Sequence, residues 1–131
     1  MNNLFTLQDL VKKAESYNDF IALTWQNGKQ LAFRELYKNV ETYSKGLLAY
    51  GLKKGDRVAF FSSNIPEWIV LSLAINNAGL VDVPRGENSS REEMNYIIEH
   101  SKAKIVIVED ETIIDKIKND KHANLKYVFS I

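Results

Sequence analysis

The sequence contains no cysteine, only two histidines and only six glycines in 131 residues. The lack of cysteine excludes disulfides, thiolate chemistry and cysteine-based zinc sites. His100 and His122 have no partner residues in the pattern of a metal site or of an activated nucleophile, so we assign neither a catalytic role. No two glycines lie closer than four positions apart, which excludes a glycine-rich phosphate loop.

Neither sign of charge predominates, because 17 lysines and arginines balance 17 aspartates and glutamates. This balance argues against a general electrostatic surface for nucleic acid or anionic lipid, although one small phosphate site remains compatible with it. The N-terminus has no basic region ahead of an apolar stretch, and the apolar runs are too short to span a bilayer. We therefore expect a cytoplasmic protein whose residues 1–131 belong to a single domain.

Helical and strand-like patterns alternate along the chain and predict an α/β fold. The order strand, helix, strand is typical of a parallel sheet flanked by helices, and the turn at 26–29 predicts an antiparallel hairpin at a mixed edge. Strands are predicted at Phe20–Trp25, Gln30–Phe33, Arg57–Phe61, Leu80–Val83, Lys104–Val108 and Lys126–Phe129. Helices are predicted over 7–14, over a long segment ending before Gly51, and at Trp68–Ala78, Arg91–Ser101 and Ile113–Lys118.

Several residues are expected to set the ends and faces of these helices. Thr6 with Asp9, Asn64 with Glu67, and Ser90 with Glu93 have the spacing of helix-start boxes. Gly51 is placed to end the long helix in a left-handed conformation. The apolar stripe of that helix is predicted to comprise Leu36, Val40, Tyr43, Leu47 and Tyr50.

Five segments, in order, resemble the adenylate-forming superfamily, which includes acyl-CoA synthetases, luciferases and the adenylation domains of peptide synthetases. They span about residues 20 to 110. Val81–Gly86 (VDVPRG) is most similar to the bacterial long-chain fatty acid–CoA ligases, whereas Ala32 stands where the family commonly has threonine. The segments are Phe33–Leu36 (FREL), Gly51–Ala59 (GLKKGDRVA), Asn64–Trp68 (NIPEW), Ala78–Pro84 (AGLVDVP) and Ile97–Asp110 (IIEHSKAKIVIVED).

The resemblance implies an ATP-dependent acid–thiol ligase that forms AMP. A fatty acid carboxylate attacks the α-phosphate of ATP with Mg²⁺ assistance, and the thiol of CoA then displaces AMP. The family's phosphate loop, acidic metal ligand and catalytic lysine are not found in this sequence. We therefore expect the chain to be the N-terminal fragment, 1–131, of the large AMP-binding domain, with no catalysis, no bound cofactor and no metal site of its own.

Arg85 and Arg91 are the candidate cofactor-binding residues. In several members of the resembled family a basic residue in this region approaches the phosphates of CoA, and arginine can donate two hydrogen bonds to a phosphate. The alternative interpretation, which the pattern favours, is a solvated surface pair beside Glu87, Glu92 and Glu93. For Ser62, Ser63 and Asn64, which follow a strand and open a helix, helix capping is likewise favoured over ligand contact.

Two further functions remain open at this point: an adenylation domain that charges a carrier protein, and a stand-alone α/β binding module. The partners implied by the ligase interpretation are a fatty acid, the remainder of the same polypeptide and, peripherally, the inner face of the membrane. The chain stops at Ile131 beside a predicted apolar strand. An uncovered edge at Tyr127–Ile131 predicts self-association of the fragment.

Overall fold

The computed structural model describes residues 6–117 and 121–131. The chain divides into two compact units. The first unit comprises Met1–Gly51 and Ile65–Gly79, and the second comprises Leu52–Asn64 and Leu80–Ile131.

The first unit is built from three helices and one hairpin. The hairpin is an antiparallel two-stranded sheet of its own, so it does not form the predicted mixed edge of the parallel sheet. Gly28 at φ 84° forms its turn. The core between the helices contains Val11, Val40, Val70 and Ala74. Its elements are α1 (Leu7–Ala14), a 3₁₀ turn (Glu15–Tyr17), β1 (Ile21–Thr24), β2 (Gln30–Ala32), α2 (Phe33–Ala49) and α3 (Pro66–Asn77).

The predicted start of α1 is confirmed by reciprocal hydrogen bonds. The Thr6 amide donates to Asp9 Oδ2 at 2.9 Å, and the Asp9 amide donates to Thr6 Oγ1 at 3.2 Å. At the start of α2, Ala32 has no side chain that can cap, but its amide donates to Glu35 Oε2 at 3.1 Å. One half of a capping box thus remains. Gly51 follows α2 at φ 81°, as predicted.

The predicted apolar stripe of α2 is wrong at two positions. Tyr43 is 46% exposed and Tyr50 is 48% exposed, whereas Ser44 is buried. Ser44 Oγ lies 2.7 Å from the Val40 carbonyl oxygen and 2.9 Å from that of Ala74, so its hydroxyl is satisfied by helix carbonyls. A small hydroxyl with such partners can occupy a helix–helix contact at little desolvation cost.

The predicted capping of α3 by Asn64 and Glu67 is also wrong. The helix begins at Pro66 with Ile65 in the capping position, and no side chain caps it. Pro66 occupies the first helical position, so one of the amides that lack an intrahelical partner at a helix start is absent. Glu67 instead accepts a hydrogen bond from Trp25 Nε1 at 2.8 Å, which ties the hairpin to α3.

The second unit contains the predicted parallel sheet. Its four strands are all parallel and lie in the order β4-β3-β5-β6. The last helix was predicted at Ile113–Lys118, but it begins earlier, at Glu111, because Asp110 caps it. Lys118 lies outside the described residues. The elements are β3 (Arg57–Phe61), β4 (Val81–Arg85), α4 (Arg91–Ser101), β5 (Ile105–Val108), α5 (Glu111–Ile114) and β6 (Tyr127–Ser130).

A continuous core forms where α4 packs against β3 and α5 packs against β5 and β6. Ser90 caps α4 as predicted, with its Oγ accepting from the Glu93 amide at 3.1 Å. The predicted buried face of α4, Met94, Ile97 and Ile98, is confirmed. The core residues are Ala59, Phe61, Met94, Ile97, Ile98, Ala103, Val106, Val108, Ile113 and Ile117.

An ion pair fixes the amino ends of two strands in the second unit. Lys104 Nζ lies 2.8 Å from Asp56 Oδ1, and the Lys53 amide donates to Asp56 Oδ2 at 2.8 Å. These two contacts, the hydrogen bond from Lys104 first, lower the pKa of Asp56. The carboxylate therefore joins the turn before β3 to the residue before β5.

Strand β6 is an edge of the described sheet, with β5 as its partner. Tyr127 and Phe129 stack on one another with ring centroids 6.0 Å apart, and Tyr127 is 41% exposed. The outer edge of a strand presents hydrogen-bonding groups to another chain. The expected self-association through Tyr127–Ile131 stays a prediction.

We expect Tyr127→Lys to weaken self-association, because a charged side chain on an edge strand opposes pairing. Tyr43→Lys, which alters a tyrosine of similar exposure on α2, is the matched control and should leave it unchanged. Sedimentation velocity over a range of concentrations measures the effect. A wild-type chain that remains monomeric at every concentration contradicts the prediction.

Candidate functional site

Three strands of the second unit end at one edge of the sheet, where Ser62 follows β3, Arg85 is the last residue of β4 and Glu109 follows β5. The parallel register places Phe61 of β3 beside Arg85 of β4 and Val108 of β5. The Ser62 amide donates to the Arg85 carbonyl at 3.0 Å, and the Glu109 amide donates to the Phe61 carbonyl at 3.0 Å. In open α/β sheets ligands collect at the carboxyl ends of the strands, so this edge is the candidate site.

Glu109 is the residue of this edge that the sequence analysis missed. Its Oε2 accepts a hydrogen bond from the Ser63 amide at 2.6 Å and one from Ser62 Oγ at 3.2 Å. The hydrogen bond from the Ser63 backbone, with those of the serine side chains, lowers the pKa of Glu109. An acidic residue directly after a buried strand was the only signal available in the sequence.

This arrangement contradicts the favoured interpretation of Ser62, Ser63 and Asn64 as helix caps, and it also disfavours ligand contact at the two serines. Capping of α3 is excluded, because the capping residue is Ile65. The Ser63 amide and the Ser62 hydroxyl, which an anionic ligand would need, already bind the Glu109 carboxylate. An incoming phosphate would have to displace that carboxylate, because the hydrogen-bond donors of Ser62 and Ser63 are already bound to it.

Arg85 and Arg91 lie at the two ends of the loop that joins β4 to α4. Arg85 is the last residue of β4, and its Nε lies 3.9 Å from Glu93 Oε1. Both side chains of this pair are largely exposed, at 58% and 45%, so the ion pair is weak. Arg91 is the first residue of α4 and is also exposed. The loop between them contains a tight turn in which the Ser89 amide donates to the Gly86 carbonyl.

The donor groups of this chain fit some of the implied cofactors and not others. Among residues 6–117 and 121–131, no three histidines or carboxylates converge in a way that could hold a metal ion. The dispersed glycines offer no backbone cradle for a triphosphate. An exposed arginine with one weak partner does fit a terminal phosphate of the kind that CoA carries.

The two histidines lie on the second unit, outside the candidate site. His100 stacks on Tyr96 with ring centroids 5.3 Å apart, and His122 Nδ1 lies 2.9 Å from Glu99 Oε1.

Within the described part of the chain, no helix combines the length and apolar character needed to cross a bilayer.

Comparison with known proteins gives a family match over nearly the whole chain. Residues 10–130 match the AMP-binding enzyme family. The chain is 30% identical over 107 residues to the long-chain-fatty-acid–[acyl-carrier-protein] ligase of Arabidopsis thaliana chloroplasts, covering 79% of this chain and 15% of that protein. It is 33% identical over 101 residues to the mitochondrial medium-chain acyl-CoA ligase of Danio rerio, covering 76% of this chain and 17% of that protein.

Solved structures share the fold. The fatty acyl CoA synthetase of Mycobacterium tuberculosis superposes with a TM-score of 0.88 at 20% identity, over 96% of this chain and 26% of that one. The chain thus spans about one sixth of the length of the two curated relatives and about a quarter of this structure.

We expect Glu109→Gln to loosen the turn at Ser63, since a neutral amide oxygen accepts a weaker hydrogen bond than a carboxylate does. The loss of unfolding free energy should be about 1 kcal/mol. Because the folded pKa is lowered, the carboxylate contributes its full stability above its ordinary pKa of 4.5 and loses it as the pH falls through the folded value.

The Ser63 amide chemical shift, followed by NMR between neutral and acidic pH, measures this effect. In the wild-type chain it should titrate with the lowered pKa, and in Glu109→Gln that titration should vanish. Glu111→Gln, which removes an exposed carboxylate two residues away, should leave it intact. A titration that persists in Glu109→Gln refutes the assignment.

Proposed function

Since this chain belongs to the AMP-binding enzyme family, we propose that it supplies the N-terminal scaffold of an AMP-forming long-chain fatty acid–CoA ligase. The complete enzyme would join a fatty acid to ATP with release of pyrophosphate, and then transfer the acyl group from AMP to the thiol of CoA. Mg²⁺ would assist the first step from ligands outside this chain. The scaffold role is consistent with the share of the relatives that this chain matches, about one sixth of their length.

The observation that carries this proposal is the parallel sheet, in which the polar groups after β3 and β5 bind one another. The turn at Ser62 and Ser63 binds Glu109, and the described residues hold no metal cluster. Activation of a carboxylate by ATP depends on neutralising the charge of the phosphates. In this proposal the groups for that chemistry lie in other parts of the complete enzyme, and this chain supports them.

Arg85 and Arg91 would contribute to CoA binding in the complete enzyme. Both are exposed at the start and end of one loop, and Arg85 has only a weak ion pair to Glu93. If Arg85 exchanged its solvated pair with Glu93 for a phosphate of CoA, binding of CoA would be favoured. A phosphate carries more charge than a carboxylate and accepts two hydrogen bonds from one guanidinium.

The relatives favour two different acceptors and two chain lengths. The plant relative is named for long-chain fatty acids and an acyl carrier protein, and the fish relative for medium-chain acids and CoA. A ligase that charges a carrier protein is therefore the second candidate. The similarity of Val81–Gly86 to bacterial long-chain ligases supports the first. We further propose a cytoplasmic location, peripheral to the inner membrane face, where long-chain acids partition.

A complete ligase containing this chain should use palmitate with a higher kcat/KM than octanoate, and CoA rather than a carrier protein. Each additional buried methylene contributes about 0.8 kcal/mol of binding. A coupled AMP-release assay with both acids and both acceptors measures this, and the isolated 131-residue chain is the control expected to show no turnover. Preference for the carrier protein would replace the first candidate by the second.

Arg85→Ala and Arg91→Ala should each raise the KM for CoA about tenfold, as expected for the loss of one charge-assisted hydrogen bond. The matched control is Lys54→Ala, which should leave the KM for CoA unchanged. Lys54 is an exposed cation that precedes the amino end of β3, whereas the candidate site lies at the carboxyl end. With pantetheine as acceptor, which lacks the nucleotide phosphates, neither arginine variant should differ from wild type. An unchanged KM for CoA in both variants contradicts the phosphate contact.

A further inference from the structure

The first unit contains an apolar pocket that the proposed ligase chemistry does not use. It lies among α1, α2 and α3 and encloses about 230 Å³. Its inner wall is formed by Val11, Leu36 and Val40, which are at most 6% exposed. Leu10 and Tyr17 also line it but are 55% and 45% exposed, so they lie at its opening.

Contacts among the three helices hold the pocket open. Gln8 Nε2 donates to the Asn77 carbonyl at 3.0 Å, which links α1 to the end of α3. The Ser44 hydroxyl, between the Val40 and Ala74 carbonyls, fixes α2 against α3. Pockets walled by such packed elements are usually preformed.

Among the described side chains that line this pocket, Lys13 carries the single formal charge, its ammonium group. Lys13 is exposed and lies on the same side of α1 as Leu10, which is three residues earlier in the sequence. The pocket therefore combines an apolar interior with one cation at its opening. A ligand that complements both features has an apolar body and a terminal anion.

The size of the pocket limits that body. An apolar cavity of about 150 Å³ binds benzene, which has six non-hydrogen atoms. By proportion, a pocket of about 230 Å³ accommodates roughly nine such atoms. A complete long acyl chain therefore does not fit inside the pocket, whereas the short alkyl or aryl body of a small carboxylate does.

We propose that this pocket is a second binding site, specific for small carboxylates with an apolar body of that size, whose carboxylate pairs with Lys13. Linear alkanoates and aryl alkanoates share this chemistry. The site requires neither ATP nor CoA, so its occupancy is independent of the proposed ligase function.

The test is a titration of the chain with octanoate and with 3-phenylpropionate, followed by methyl NMR. Saturable shifts are expected at Val11, Leu36 and Val40, with a Kd on the order of 1 mM for a ligand of this size. The acid that binds more tightly identifies whether the site takes alkyl or aryl bodies. The absence of saturable shifts at these methyl groups with both acids overturns the proposal.

The charge is tested with two neighbouring lysines of α1. Lys13→Gln should weaken octanoate binding about three- to fivefold and leave 1-octanol binding unchanged, as expected for the loss of one exposed ion pair. Lys12→Gln removes an adjacent exposed cation that does not line the pocket, and should change neither ligand. Equal weakening by both variants would reduce the effect to general electrostatics and overturn the assignment.

The volume is tested by Leu73→Trp, which adds an indole to a half-buried wall position. It should abolish the binding of octanoate and of 1-octanol alike. Circular dichroism establishes that the variant is folded, and if it is not, the comparison of the two lysine variants decides. Undiminished octanoate binding in a folded Leu73→Trp variant places the ligand elsewhere and refutes the pocket.

Discussion

The central position of β3 in the parallel sheet is the constraint on which the arrangement of the second unit depends. This strand pairs with β4 on one side and β5 on the other, and Val58 to Phe61 have no solvent exposure. A parallel strand buried in this way must satisfy its backbone groups on both sides, so the registers of its neighbours are fixed together. The coincidence of the three strand ends, and hence the meeting of Ser63 with Glu109, follows from those registers.

Features that depend on neighbouring residues could be predicted from the sequence. The continuous apolar run Ile105–Val108 is typical of a strand buried on both faces, and all four residues are buried. Ser90 and the start of α1 were recognised because a cap requires only residues three apart. The alternating order of strand and helix patterns predicted the parallel sheet, because right-handed crossovers through helices join strands that run in parallel.

Features that depend on distant contacts could not be predicted. The bond between Ser63 and Glu109 joins residues 46 positions apart, so neither local spacing nor helix propensity indicates it. The burial of Ser44 in place of Tyr43 has the same cause, since the Ala74 carbonyl that helps to satisfy the hydroxyl is 30 positions away. Asn64 and Glu67 had the correct spacing for a helix start, but Ile65 occupies the capping position and Glu67 binds Trp25, which lies 42 positions earlier. In these three cases the partners of Ser63, Ser44 and Glu67 are distant in sequence.

The polar groups at the carboxyl edge of the sheet thus fall into two classes, which differ in the strength of the interaction that a ligand would have to break. The Ser63 amide donates at 2.6 Å to a partly buried carboxylate, whose lowered pKa keeps it charged to a lower pH than an ordinary glutamate. Displacing it would leave a charged group without its hydrogen bonds, which is costly in a partly desolvated place. Arg85 is held by Glu93 at 3.9 Å between two exposed side chains, and such a pair contributes little. An anion approaching this edge therefore recruits the arginine at the lower free-energy cost, and the serines serve to fix the turn beside it.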